Sequence, residues 1–228
     1  MNINLQYLGQ SCFLIDFNGK KLLFDPAISQ NPIADDQLIE SLNPDYILLS
    51  HGHGDHCADI EQILKQSNAT LISTYELVSY YGEKGFKGHP MNTGGKWEFD
   101  FGYVKLVNAV HSSVLPDGTY GSNPVGFVIW NETNCFYFAG DTALHYDMKL
   151  IPEICPALDF CILPIGDNFT MGYEDARIAA QFVHCSKVIG CHYDSFPYIE
   201  INHEKAKHFF NEDGKELILL DVKQSIEL

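Results

Sequence analysis

Six consecutive residues, His51-Gly52-His53-Gly54-Asp55-His56, put three imidazoles and a carboxylate into one short stretch of chain. They follow directly on Asp45-Tyr46-Ile47-Leu48-Leu49-Ser50, an apolar run that reads as a buried strand. A fold that accepts this stretch must therefore end a buried strand in a turn that gathers four donors. Imidazole and carboxylate together suit zinc, manganese or iron. Gly52 and Gly54 supply backbone freedom for aiming the donors inward. The bland alternative is a solvated polar loop, and the strand-to-loop context argues against it.

Composition narrows the setting. The chain has 228 residues, more than the usual allowance of about 150 per domain. No linker, charge block or repeat divides it, so residues 1–228 are expected to form one domain. A hydrophobic content of 46% provides a large core, and no apolar run approaches the ~20 residues of a membrane span. Met1-Asn2-Ile3-Asn4-Leu5-Gln6 has neither a basic start nor an apolar segment, unlike a signal peptide. The seven cysteines (12, 57, 135, 155, 161, 185 and 191) are odd in number and form no C-x-x-C, against a disulfide framework or a zinc ribbon. A cytoplasmic location is expected. The net charge of −16, with Arg177 the one arginine, disfavours nucleic acid and excludes a multi-arginine phosphate clamp. A small molecule is the expected partner, no membrane is expected, and a homo-oligomer is compatible with the composition.

The pattern along the chain predicts hairpins first and β–α alternation later. Residues 2–8 and 12–17 alternate as strands, and Asn18-Gly19 signals a two-residue hairpin into a third strand over 21–24. A polar loop with Pro32 and Asp35-Asp36 precedes a short helix over 37–42. Strands are expected over 46–50 and 70–73, helices over 59–66 and 75–81, and a turn-like stretch over 82–95. Hairpins follow over 97–101 with 103–110 and over 125–130 with 135–139, separated by a polar loop, 112–123, of active-site composition. Strands over 159–163, 187–191 and 216–221 alternate with helices over 173–183 and 204–211. Two sheets packed face to face with helices outside fit this order.

His111, Asp141 and His192 each fall at the end of a predicted strand, as the opening motif does. A lone strand-end histidine is usually structural, but strand ends are also the rigid supports a metal site needs. Seven candidate ligands at four strand ends exceed what one tetrahedral zinc requires, which favours two metals. Asp25 and Thr142 are candidates for orienting the imidazoles, with turn or cap chemistry as the alternative. His145, four residues past Asp141, is read as structural.

Taken together, His51-x-His53-x-Asp55-His56, the strand-end His111, Gly140-Asp141-Thr142 and the later His192 resemble the metallo-β-lactamase superfamily over essentially the whole chain. Met91-Asn92-Thr93-Gly94-Gly95, His111-Ser112-Ser113 and Leu163-Pro164-Ile165-Gly166-Asp167 through Met171-Gly172 are closest to small metal-dependent hydrolases near the ascorbate-6-phosphate lactonase-like group. The resemblance implies an α/β (α+β) fold, a four-layer αββα sandwich with the site along one edge of the sheets. It implies that His51, His53 and His111 hold one divalent ion, that Asp55, His56 and His192 hold a second, and that Asp141 bridges. Zinc is the first choice, with manganese or iron as alternatives. Leu8-Gly9-Gln10-Ser11 departs from the pattern, since relatives often carry histidine where Gln10 stands.

The expected activity is hydrolysis of a small ester, lactone, amide or phosphoester by hydroxide generated on the ions, with Asp55 orienting the nucleophile or relaying a proton. Residues 167–171, Tyr193 and Asp194 are candidate pocket walls; Ser112, Thr119 and Tyr120 are candidate hydroxyl donors. Two alternatives remain open: a di-iron oxidoreductase on the same scaffold, and a non-catalytic metal or ligand sensor. Such oxidoreductases usually carry glutamate where His53 stands, which counts against the first. The complete ligand set counts against the second.

Overall fold

The structure is a computed structural model that describes residues 3–31 and 36–228. The predicted polar loop around Pro32 and Asp35 lies outside the described residues. Strands β1 (Asn4–Gly9), β2 (Cys12–Phe17), β3 (Lys20–Phe24), β4 (Tyr46–Leu48), β5 (Thr70–Thr74) and β6 (Gly88–Met91) belong to the first sheet. Strands β7 (Lys96–Phe99), β8 (Gly102–Asn108), β9 (Val125–Trp130), β10 (Cys135–Phe138), β11 (Phe160–Pro164), β12 (Lys187–Cys191) and β13 (Glu216–Ile218) form the second. β14 (Ser225–Glu227) returns to pair with β1, so the sheet orders are β14-β1-β2-β3-β4-β5-β6 and β13-β12-β11-β10-β9-β8-β7.

Each sheet is antiparallel on one side and parallel on the other. In the first, β3 through β6 run parallel. In the second, β10 through β13 do so. β8 and β10 are both antiparallel to β9, so they run in the same direction and end at the same edge. Ligands in open α/β sheets gather beyond the carboxyl ends of strands, and the candidate site follows that rule here.

The layers follow from side-chain alternation. In β2, Phe13, Ile15 and Phe17 face the core between the sheets, while Cys12 joins the cluster beneath the outer helices. In β11, Phe160 and Ile162 face inward, and Cys161 and Leu163 face the opposite helical layer. Both faces of β11 are covered, which is why it is apolar throughout rather than alternating with polar residues. Helices α1 (Asp36–Ser41), α3 (Ile60–Gln66) and α4 (Tyr75–Glu83) lie over the first sheet, with the one-turn α2 (Gly54–Cys57) leading into α3. The short α5 (Ile151–Ile154), with α6 (Tyr173–Phe182) and α7 (His203–Asn211), covers the second. Ala176, Ala179 and Ala180 form the buried stripe by which α6 approaches its sheet. The result is the expected four-layer αββα sandwich.

Three differences from the sequence pattern have local causes. The turn-like 82–95 stretch contains β6, an edge strand in which Pro90 is tolerated. β14 is three residues long and owes its conformation to pairing with β1 more than two hundred residues earlier in the chain. β13 stops at Ile218, short of the 221 at which the last strand expected from the sequence ends. Among the described residues no helix is long and apolar enough to cross a membrane.

The inter-sheet core is built on aromatic rings. Phe24 meets Phe138 at 4.8 Å, Phe136 at 6.0 Å and Phe127 at 6.2 Å between ring centroids. Phe24→Ala would remove this packing and leave a cavity between two rigid sheets. It should lower unfolding free energy by about 3–5 kcal/mol in urea titration.

Candidate metal centre

The first sheet delivers the motif through a buried junction at Ser50. Beyond β3, Asp25 adopts φ +40° and is fully buried. Its Oδ1 accepts the Ser50 amide at 2.7 Å, and its Oδ2 accepts the Ser50 hydroxyl at 2.6 Å. The Ser50 carbonyl accepts the Val125 amide at 3.1 Å, joining β4 to the start of β9 in the second sheet. A Cβ on Gly140 would meet Ser50 Cβ at 2.8 Å, so the glycine before Asp141 permits this close approach.

This network sets the state of two imidazoles. The Ser50 hydroxyl proton goes to Asp25, so His51 Nδ1, 2.9 Å from Ser50 Oγ, must be the donor. That leaves the lone pair of His51 on Nε2. His56 Nδ1 likewise donates to Asp25 Oδ2 at 2.8 Å, turning Nε2 toward Asp141. Asp25 thus orients one ring directly and the other through Ser50. Thr142 does not orient an imidazole: its hydroxyl accepts the Val110 amide at 3.0 Å and donates to the Ala143 carbonyl at 2.8 Å. Its role is to fix the backbone leading into His111.

The motif then closes into α2. The His53 carbonyl accepts the amides of His56 and Cys57, which places Asp55 and His56 on one turn. Neither Gly52 nor Gly54 has a positive φ. Gly52 is required for space instead, because a Cβ there would lie 2.9 Å from Gly121 Cα. The Gly52 amide donates to Ser113 Oγ at 3.0 Å, tying the motif to the 112–123 loop.

All seven predicted ligands converge. His192 follows β12 directly, whereas His51, His111 and Asp141 lie a few residues beyond β4, β8 and β10. His51, His53 and His111 form one group of donor atoms within 4.8 Å of one another; Asp55, His56, Asp141 and His192 form a second. Asp141 Oδ2 lies 3.1 Å from His192 Nε2, 3.2 Å from His56 Nε2 and 3.6 Å from His111 Nε2, so it faces both groups. His56 Nε2, Asp141 Oδ1 and His192 Nδ1 are buried without hydrogen-bond partners. Asp25, His51 and His56 also form a cluster, but the Asp25 oxygens are already engaged.

The two groups differ electrostatically. Burial holds His51 well below the ordinary imidazole range, with the neighbouring His56 acting in the same direction. Burial also lowers His53 and His111. In the second group burial again lowers the imidazoles, but the facing carboxylates together outweigh it, Asp141 foremost, with Asp25 adding at His56 and Asp55 at His192. His56 is raised well above its usual value, and His192 rises to about 9. Burial pushes Asp55 and Asp141 upward, yet contacts from His192 and His56 hold both below the usual carboxylate range. The nearby thiols are not competing donors: burial pushes Cys57 up to about 11 and raises Cys191 well above its ordinary value.

Gln10 is a site residue whose role the sequence did not disclose. It is buried at φ +53° and donates from Nε2 to Asp55 Oδ2 at 2.9 Å. Its Oε1 accepts the Ser195 hydroxyl, and its carbonyl accepts the His192 amide at 2.8 Å. A neutral amide therefore occupies the place of the expected histidine and links both sheets to Asp55. A cavity of about 500 Å³ opens beside the ligands, with Gln30, Ser112, Phe169 and Phe196 completing its wall. Of the predicted wall residues, Phe169 and Ser112 line it. Tyr193 instead packs in the core and donates to the Leu220 carbonyl, Asp194 pairs with His203, and Tyr120 bonds Asn123. Thr119 and His145 do not line it.

Buried imidazoles and carboxylates at the ends of paired sheets define a metallo-hydrolase-type scaffold. The chain belongs to the beta-lactamase superfamily, whose domain profile matches residues 4–192. It is 54% identical to a UPF0173 metal-dependent hydrolase of Flavobacterium johnsoniae, over 99% of this chain and 100% of the relative. A relative of the same name from Christiangramia forsetii is 52% identical with the same coverage. Igni18, a metallo hydrolase from Ignicoccus hospitalis, superposes with a TM-score of 0.90 at 27% identity, over 100% of this chain and 99% of that one.

Asp25→Asn tests the junction. Its NH₂ would confront either the Ser50 donors or the His56 N–H. The variant should be destabilised by about 1–3 kcal/mol in chemical denaturation.

Proposed function

We propose that this protein is a dinuclear metal-dependent hydrolase acting on a small ester, lactone, amide or phosphoester. His51, His53 and His111 would hold one divalent ion and Asp55, His56 and His192 the second, with Asp141, which faces both groups, available to either. The reading rests chiefly on His56 Nε2 and Asp141 Oδ1, buried polar atoms with no hydrogen-bond partner inside the second donor cluster. Such atoms are costly to bury and call for an unseen partner. All donors are imidazole or carboxylate, which suits zinc first and manganese or iron next. Two bound cations supply the charge that acidifies a water and polarises an electrophilic oxygen.

The remaining work falls to side chains. Asp55 is the catalytic residue of the proposal: it faces the cavity, and contacts from His192 and His56 keep it ionised. An ionised Asp55 accepts the Gln10 amide on Oδ2 and has acceptor capacity left to orient a water or hold its proton. Asp25 and Ser50 keep the two rings in register without entering the cavity. With positive charge supplied by ions, an acidic protein with one arginine can still bind a developing anion. A cytoplasmic location belongs to the same proposal, on the strength of seven free thiols. The expected partner remains a small molecule, not nucleic acid.

Protein purified without added metal should carry close to two divalent ions per chain by elemental analysis. It should hydrolyse at least one member of a lactone, ester, thioester and phosphodiester panel. Metal content near zero, with no uptake on titration, would overturn the reading. Asp55→Ala should lose turnover while circular dichroism and metal-free thermal unfolding stay near wild type; near-normal turnover would sink the assignment of Asp55.

The electrostatic asymmetry gives a further expectation. His56 and His192, raised by Asp141, hold protons near neutral pH, whereas His51, His53 and His111 are already neutral. A metal ligand must be deprotonated. Filling the Asp55 side should release more protons than filling the His51 side, because ionisation of a bound water adds to either step while ligand deprotonation adds to the Asp55 side alone. Calorimetric titration in buffers of different ionisation enthalpy reads this directly, and equal release at both steps would contradict the assignment.

A further inference from the structure

We infer that the cavity beside the metal centre takes a neutral acyl substrate whose non-reacting part is aromatic or flat and apolar, seated on the row Phe196–Phe169–Tyr198. The inference rests on the hydrolase reading above. An aromatic row starts at a candidate ligand: the His192 ring lies 6.4 Å from Phe196, edge to face. Phe196 lies 6.0 Å from Phe169, which lies 6.4 Å from Tyr198. Phe169 is 50% exposed and Tyr198 76%, so the row continues out of the cavity mouth with its faces open. A contiguous exposed apolar patch on a soluble chain marks a contact surface, and this one abuts the donor clusters.

The row is held rigidly. Phe169 sits in the loop after β11, and Phe196 and Tyr198 in the loop after β12. Asp167, Asn168, His192 and Asp194 all have positive φ, between +54° and +62°. Non-glycine residues in this region are strained, and such strain concentrates where geometry must be fixed. A Cβ on Gly166 would collide with the His192 carbonyl and lie 2.9 Å from Ile199 Cβ, so the two loops pack backbone to backbone. The Asp167 amide closes on the Met171 carbonyl at 3.0 Å and the Asp194 amide on the Ile199 carbonyl at 2.9 Å. The rings are presented ready-made, which spares the cost of ordering them on binding.

Charge sets the substrate's other property. Among the described residues the cavity wall contains no lysine or arginine, and its polar side chains away from the candidate ligands are Gln30 and Ser112. A carboxylate or second phosphate charge remote from the ions would find no cation there and would enter a protein of net charge −16. Hydrolysis of a fitting ester breaks the acyl C–O bond. The water oxygen goes to the acyl carbon, and one water proton leaves with the alcohol.

The test compares benzyl acetate with ethyl acetate on zinc-loaded protein. The departing alcohols are similarly acidic, so the ratio reads binding of the ring. kcat/KM should favour benzyl acetate by at least about tenfold, and 4-(acetoxymethyl)benzoate, the same ester with a carboxylate remote from the reacting carbon, should fall at least about tenfold below benzyl acetate. In Phe169→Ala/Phe196→Ala the benzyl-to-ethyl ratio should drop toward one through KM; the more exposed Tyr198→Ala provides a second variant should the first not fold. A wild-type ratio near one, a ratio unchanged in a folded variant, or preference for 4-(acetoxymethyl)benzoate overturns the inference and leaves the hydrolase reading standing. If no ester is turned over, saturation-transfer NMR with N-benzylacetamide decides. Saturation of the benzyl protons in wild type that vanishes in the variants upholds the aromatic seat and leaves the hydrolase reading to the wider substrate panel, and no saturation in wild type overturns the seat itself.

Discussion

Everything at the metal centre depends on a carboxylate that never reaches it. Asp25 is fully buried and spends its oxygens on the Ser50 amide, the Ser50 hydroxyl and His56 Nδ1. Burial pushes its carboxyl up, while the hydrogen bonds from His56 and Ser50 pull it back toward ionisation. Without it, the Ser50 hydroxyl would be free to rotate, and neither His51 nor His56 would have a defined tautomer. The same serine carries the backbone bond to Val125 that joins the two sheets at this edge. Orientation of the imidazoles and registration of the sheets are therefore one problem with one solution. Groups of this kind, behind the metal ligands, fix ring orientation and basicity.

The two donor groups inherit different electrostatics from this frame. His51, His53 and His111 are a neutral trio, held so chiefly by burial, with the charged His56 ring acting in the same direction on all three. Asp55, His56, Asp141 and His192 alternate acid and base, and each pair stabilises the other's charge. The second group is self-neutralising, since its imidazolium rings face its carboxylates. Yet that pairing leaves His56 Nε2 and Asp141 Oδ1 without a hydrogen-bond partner.

The motif's chemistry was legible because metal donors must be specific residue types, and because strand ends announce themselves by apolar runs that stop. His111, Asp141 and His192 could thus be grouped with residues 51–56 although far apart in sequence. Less legible was whatever depends on a partner distant in the chain. β14 exists by pairing with β1, and nothing local to Ser225–Glu227 marks it as a strand. Tyr193 follows a candidate ligand directly, yet the chain, leaving β12 through the left-handed His192, buries it in the core, where it stacks on Tyr7 at 6.5 Å. Gln10 stood out only as a departure from the pattern. Its amide offers one donor and one acceptor on opposite ends, and the fold uses both, toward Asp55 and Ser195. No reading of residue 10 alone could reveal that pairing.

The fold divides labour between two kinds of support. Candidate ligands come from strand ends, where sheet hydrogen bonding fixes position, and their supporting contacts are buried carboxylates and hydroxyls. The cavity's apolar wall comes from loops after β11 and β12, made rigid by left-handed residues and by Gly166 under the His192 carbonyl. His192 belongs to both: its ring joins the second donor group, and its edge-to-face contact with Phe196 begins the aromatic row. A change of loop sequence can therefore alter what the wall accepts while the strand-end donors stay in place. Because one strained residue anchors both parts, the reacting centre and the group recognised beside it are kept at a fixed separation, which is what a positioned hydrolysis requires.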